Sequence, residues 1–187
     1  VGFPLLGVDI SEEVTNRLAS EAYGSPHLMQ EFCREIAKIN NIEQTTQATV
    51  LVDQVEDSMF RSVSEATGKV IFDKLANGPR QRSDRMQRSL KTGGTADIYK
   101  VTLLALAKLA PGMISISYEE LRSSIRDILT DNLPQAHEVS RVLEKMSEIA
   151  ANDEASTPVL DWDKEEQILH ITDPFFAFFL KWGALQA

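Results

Sequence analysis

The sequence predicts a mainly α fold, a helical bundle followed by three more helices, a small β-hairpin and a last helix rich in aromatics. Two observations carry this expectation. Apolar residues recur at three- and four-residue spacing through most of the chain, while the period-two alternation of a half-buried strand is concentrated between Val159 and Thr172. The 187 residues, 43% hydrophobic and 25% charged, suit a folded globular chain and suffice for two small cored domains. The expected division is a helical domain over 1–78, a basic linker over 79–96 and a second domain over 97–187.

In chain order, Ser11 is placed to cap a helix whose Val14, Leu18 and Ala22 fall four apart on one face. Gly24-Ser25-Pro26 stops it, and Ser25 and Pro26 suit the N-cap and first position of the next helix. There Leu28, Phe32, Ile36 and Ile39 form an apolar stripe beside Met29 and Cys33. A third helix is expected from about Thr46 to Ala66, with Val52, Val55, Met59 and Val63 inward. Gly68 interrupts it before a continuation through Ile71 and Leu75, so this half needs no strand. Asn77-Gly78-Pro79 then breaks the chain, and Arg80, Arg82, Arg85, Arg88 and Lys91 follow with one acid, Asp84, ahead of Gly93-Gly94.

From Asp97, residues Ile98, Val101, Leu104, Ala105 and Leu109 mark a helix that Pro111-Gly112 ends. Ile114 and Ile116 suit a short strand. Ser117-Tyr118-Glu119-Glu120 is a capping box for a helix with Leu121, Ile125 and Ile128 inward, and Pro134 opens another with Val139, Val142, Met146 and Ile149 inward. Leu160 and Trp162, then Leu169 and Ile171, alternate with polar neighbours around an Asp163–Gln167 turn. Asp173 caps and Pro174 starts the final helix. Its Phe175, Phe178 or Phe179 and Trp182 share an inward stripe, which leaves Phe176 for a neighbouring domain or for packing on the chain's own first helices. Three helices, a hairpin and a last helix outline a winged helix whose wing is the hairpin.

At this point the chain resembles a known family. Gly24-Ser25-Pro26-His27-Leu28, between two amphipathic helices, resembles the Gly-x-Pro-x-Leu turn in the helical lid of AAA+ and STAND-type P-loop ATPases. Leu169-His170-Ile171-Thr172-Asp173-Pro174-Phe175-Phe176 resembles the end of the winged helix that follows such a lid in archaeal-type and STAND ATPases. The resemblance implies that Gly24, Ser25, Pro26 and His27 lie near a nucleotide held by a preceding domain, with His27 or Arg34 answering its γ-phosphate. Many members carry Arg directly after the Pro, whereas His27 holds a fixed positive charge less readily. The other reading of the turn is a plain interhelical connection. ATP and Mg are implied for the parent protein and no cofactor for this fragment, which is expected to act with a missing N-terminal nucleotide-binding domain.

Composition narrows the remaining classes. Phosphate binding by a P-loop needs a Gly-rich turn closing on Gly-Lys-Ser/Thr, and Gly68-Lys69 is followed by Val70. No ATP hydrolysis by this fragment is expected. His27, His137 and His170 lack zinc-ligand spacing with the single Cys33, and Ser140 and Ser147 have no partner base legible in sequence. The acids Asp161, Asp163, Glu165 and Glu166 read as a solvated hairpin turn. Cys33 cannot form an internal disulfide and reads as core packing, in keeping with a cytoplasmic setting. No apolar run reaches membrane-spanning length, and the opening Val1-Gly2-Phe3-Pro4-Leu5-Leu6 is no signal peptide. A chain that opens without Met is expected to be an excised fragment.

A winged helix invites DNA binding through its third helix, which here offers Arg141 and Lys145 against Glu138, Glu144 and Glu148. Residues 97–187 hold 8 basic and 15 acidic side chains, however, and the whole chain carries −9. Such a surface suits a protein partner better than phosphate. The expected function is therefore regulatory, with a lid closing over nucleotide and a winged helix contacting protein. The alternatives are a freestanding DNA-binding regulator using Arg80, Arg82, Arg85, Arg88, Lys91, Arg141 and Lys145, and an all-α adaptor.

Overall fold

The computed structural model describes residues 2–46, 49–79, 85–130, 132–151 and 158–185. The chain is mainly helical, with small sheets of two or three strands, and it divides into two compact units, residues 1–66 and 67–187.

The first unit opens with a short helix α1 (Gly2–Leu5) and a strand β1 (Val8–Ile10), followed by α2 (Glu12–Glu21) and α3 (Pro26–Ile39). The expected caps form. The Ser11 hydroxyl accepts from the Val14 amide at 3.2 Å and the Ser25 hydroxyl from the Leu28 amide at 3.3 Å, each satisfying one of the amides a helix start leaves unpaired. Val14, Leu18 and Ala22 are buried, as are Leu28, Phe32 and Ile36, but Ile39 closes no stripe and is 56% exposed.

The long third helix expected from Thr46 is not formed. Val50–Val52 is instead a strand, β2, paired in parallel with β1 so that Val8 faces Val50 and Ile10 faces Val52. Helix α4 starts only at Asp57 and runs to Thr67. The reason is local and tertiary together: Thr49, Val50 and Val52 are β-branched, the following Asp53 and Gln54 are exposed, and the Val50 amide donates to the Gly7 carbonyl next to β1 at 2.9 Å rather than one turn back. Phe32 and Phe60 meet edge to face, with centroids 5.3 Å apart, and tie α3 to α4.

The second unit begins at Thr67, the last residue of α4, and continues through Gly68 into α5 (Lys69–Asn77), which packs against α6 (Ile98–Leu109). Residues 69–77 thus belong with the second unit and not with the helices before them. A Cβ on Gly68 would lie 2.2 Å from Cβ of Phe179, so the backbone passes where no side chain fits. Within the expected linker, β3 (Arg88–Ser89) and β4 (Thr95–Ala96) form a small antiparallel hairpin. It is pinned to the end of the following helix pair by a Leu90–Leu129 bridge and by the Lys91 amide donating to the Ile128 carbonyl at 2.9 Å.

Helix α6 is the centre of this unit. Tyr99, Val101, Leu103, Ala105, Leu106 and Ala107 are buried on all sides of it, while Leu109, expected inward, is 38% exposed. Strand β5 (Ser115–Ser117), α7 (Tyr118–Ile128), α8 (Ala136–Ala151), the hairpin β6 (Leu160–Asp163) and β7 (Ile168–Ile171), and α9 (Pro174–Trp182) complete it. The three strands are antiparallel in the order β5-β7-β6, with Ile116 opposite Leu169 and Leu169 opposite Trp162. Their inward residues Ile116, Leu160, Trp162, Leu169 and Ile171 are buried, and Ile114, expected to pair in the strand, is 65% exposed.

The Ser117 capping box closes reciprocally with Glu120, and the Asp173 carboxylate accepts from the Phe176 amide at 2.7 Å. One face assignment is corrected in α9. Phe176, expected outward, is fully buried with Phe178, Phe179 and Leu180, whereas Phe175 and Trp182 are only half-buried. The helix packs on α5, α6 and β7 at once, so more than one stripe points inward.

Candidate functional site: a basic cleft in the second unit

The turn between α2 and α3 is built as the sequence suggests. Tyr23 and Gly24 both adopt left-handed backbone conformations, with φ of 48° and 74°, and Pro26 follows the Ser25 cap as the first helical residue. His27 faces solvent one residue on. Arg34 lies two turns further, about 10 Å along the axis at 1.5 Å per residue, and its guanidinium pairs with Glu31 at 2.9 Å. Gly24, Ser25, Pro26, His27 and Arg34 thus sit along one end and flank of α3, facing solvent rather than lining a cavity of their own.

A second group of candidates is drawn together elsewhere. Arg85, Arg141 and Lys145 line one cleft of about 560 Å³ with Pro79, Ile98, Tyr99, His137, Glu138 and Val142. Helix α8 supplies one wall, since His137, Arg141 and Lys145 are spaced four apart and so lie along one face. The start of α6 supplies the other. Its N-cap Asp97 accepts from the Tyr99 and Lys100 amides through one carboxylate oxygen, at 3.0 and 3.1 Å, and from Arg85 at 2.8 Å through the other. One carboxylate thereby starts the helix and fixes a cation beside it.

The Arg85 guanidinium lies 4.5 Å from the Tyr99 ring centroid, a cation–π stack whose members are mostly buried. Gly78 closes the stack from the side. A Cβ there would stand 2.8 Å from an Arg85 nitrogen and 3.1 Å from the Tyr99 ring, and its φ of +66° favours glycine in any case. Burial pushes the Tyr99 hydroxyl above the usual tyrosine range, a rise that Arg85, Lys145 and Arg141 partly counter.

The cations of the cleft differ in how far they are neutralised. Arg85 is matched by Asp97, and Lys145 by Glu148 one turn on, at 2.6 Å. Arg141 is exposed and has no ion-pair partner among the described residues. Arg88 does not join the cleft: it is buried and turned to Glu138 at 3.4 Å and the Asn132 carbonyl at 3.5 Å. Lys91 donates to the Arg126 carbonyl at 3.4 Å, and Arg80 and Arg82 lie outside the described residues. His137 and Tyr99 were missed by sequence reasoning. The four-residue spacing of His137, Arg141 and Lys145 is the signal that would have found the first of them.

A third arrangement lies across the three-stranded sheet. Ser115, His170 and Asp161 stand in register on neighbouring strands, and the Ser115 hydroxyl meets Nδ1 of His170 at 2.8 Å. Ser115 and Asp161 are exposed, so the row lies open to water. A nucleophile needs a shielded reacting position and preorganised donors for developing charge, and the row serves instead as a polar cross-strand ladder. Among the described residues no group of three His, Cys, Asp or Glu side chains is placed to hold a metal ion, and no helix is long and apolar enough to cross a membrane. Compared with family models, with curated proteins and with solved structures, the chain shows no match.

Proposed function

We propose that the chain is the regulatory end of a P-loop ATPase of AAA+ or STAND type, a lid followed by a winged helix that makes protein contacts. The observation that carries this reading is the order of the second unit. From α6 onward it runs helix, short strand, two helices, hairpin and last helix, with the first strand paired to the far arm of the hairpin, an order and pairing that support the winged-helix reading. The Ser25-capped, Pro26-started turn between α2 and α3 supports the lid assignment of the first unit.

On this reading, a preceding domain holds ATP and Mg. His27 and Arg34 answer the nucleotide from the lid, and the winged helix passes the change on by favouring one of two arrangements of its partner. Strand β6 carries Asp161 and Asp163 and the turn after it Glu165 and Glu166, which favours protein over phosphate as the contacted surface. Calorimetric titration of ATP into the isolated chain tests it. Binding is expected to be weaker than about 1 mM, and a Kd near 1 μM, worth about 8 kcal/mol, would contradict a lid that depends on a missing domain.

The convergence of Arg85, Arg141 and Lys145 on one cleft favours a second reading, a freestanding DNA-binding winged helix. Fluorescence anisotropy against duplex DNA at varied salt separates the two. Tight binding with a steep salt slope supports the DNA reading, and no binding at physiological salt removes it.

A further inference from the structure

We propose that the cleft between α6 and α8 is a binding site for a small organic anion: a phosphate monoester or carboxylate with a compact aromatic or aliphatic body. Its volume of about 560 Å³ falls within the usual range for small-molecule sites. Ile98, Val142 and Pro79 offer an apolar wall, and Arg85, His137, Glu138, Arg141 and Lys145 bring polar groups to the same cleft. That combination fits a ligand with an apolar body and a single charged head.

The head belongs on Arg141. Its guanidinium presents a planar fork of donors that matches a carboxylate or phosphate in two parallel bonds, and no side-chain acid among the described residues occupies it. His137 lies one turn before it and Lys145 one turn after, so two further donors flank the same position. Arg85 has a different role. Held by Asp97 and stacked on Tyr99, it is a fixed wall of the cleft, and its charge is largely spent within the fold.

A nucleic acid suits this site less well. The cations line a recess instead of a protruding surface, and Glu138, Glu144 and Glu148 on the same helix oppose a long run of phosphates. A ligand of one or two charges meets only Glu138 of these in the cleft, and that carboxylate is turned to Arg88 at 3.4 Å. Bare inorganic phosphate would engage Arg141 while leaving the apolar wall uncovered, and so would forgo the burial that an organic body supplies.

The experiment is calorimetric titration of the 187-residue chain with phenyl phosphate, benzoate and inorganic phosphate. Phenyl phosphate or benzoate is expected to bind with a Kd of about 10 μM to 1 mM, and inorganic phosphate at least about tenfold more weakly. Arg141→Ala, at an exposed position, should weaken the organic anion by about tenfold or more, with the far-ultraviolet dichroism of the chain unchanged. Ile98→Ser should weaken phenyl phosphate and leave inorganic phosphate as it was.

No binding of either organic anion up to about 10 mM would overturn the proposal, as would affinity indifferent to Arg141→Ala. Duplex DNA that displaces phenyl phosphate with a steep salt dependence would overturn it too, because the cleft would then be part of a DNA surface. The proposal does not rest on the ATPase reading, and ATP titrated into Arg141→Ala keeps the two apart: affinity lost there belongs to the cleft, affinity retained to the lid.

Discussion

Two residues show how single atoms constrain this chain. Gly68 has an ordinary negative φ, so its glycine is required by space alone: the position of a Cβ is taken by Phe179. Gly68→Ala should cost about 1–3 kcal/mol by overpacking, measured as a fall in the denaturant midpoint at unchanged slope. Tyr23 shows an electrostatic constraint. Burial, reinforced by the neighbouring Glu21, pushes its hydroxyl up to about 12 from an ordinary value near 10. The folded chain therefore keeps the proton that the unfolded chain releases, and the stability this gives is intact below pH 10 and lost as pH rises towards 12. Ultraviolet titration should show a tyrosine ionising about two pH units above the free side chain, and Tyr23→Phe should remove it. Neither constraint was legible beforehand, because one depends on a residue far along the chain and the other on a turn whose burial the sequence does not state.

At the scale of elements, helices capped by their own neighbours were read well and surfaces shared by several elements were not. Ser11, Ser25, Ser117 and Asp173 each accept the amide expected of a cap, since a cap is settled within four residues. The faces of α6 and α9 were misread for one reason. A helix covered on several sides has no single apolar stripe, and the 3.6-residue period loses its meaning there. Strand β2 carries a helical pattern in sequence, since Val52, Val55, Met59 and Val63 follow helical spacing, while its partner lies on β1, about forty residues earlier. The corrected face of α9 has a direct test. Phe176→Ala should cost about 3–5 kcal/mol as a fully buried aromatic, and Phe175→Ala distinctly less, by equilibrium denaturation of the two variants.

The whole molecule is two compact units, each with its own buried residues. Val14, Leu18, Leu28, Phe32, Phe60 and Val63 make up much of one core; Leu103, Leu106, Leu121, Ile125, Leu143 and Phe179 belong to the other. Separate cores are expected to give separable unfolding. Hydrogen exchange should show amides of α6 and α7 protected together and those of α3 and α4 protected with a different free energy. A single shared free energy for both sets would contradict this. The basic cleft belongs to the same scale. Arg85 and Arg141 are more than fifty residues apart, and only the packing of α6 against α8 brings their charges to one place. Sequence reading therefore named several of the cations without naming the site.

The parallel pair of β1 and β2 bears on how the chain behaves in crowded solution. Two strands of three residues leave backbone donors and acceptors along their outer edges, and Leu51 lies 62% exposed among them, a combination that invites another copy to add a strand. Asp9 and Asp53, both exposed, place negative charge within and beside the pair. An incoming identical strand would bring acid against acid, a charge arrangement that disfavours edge-to-edge addition.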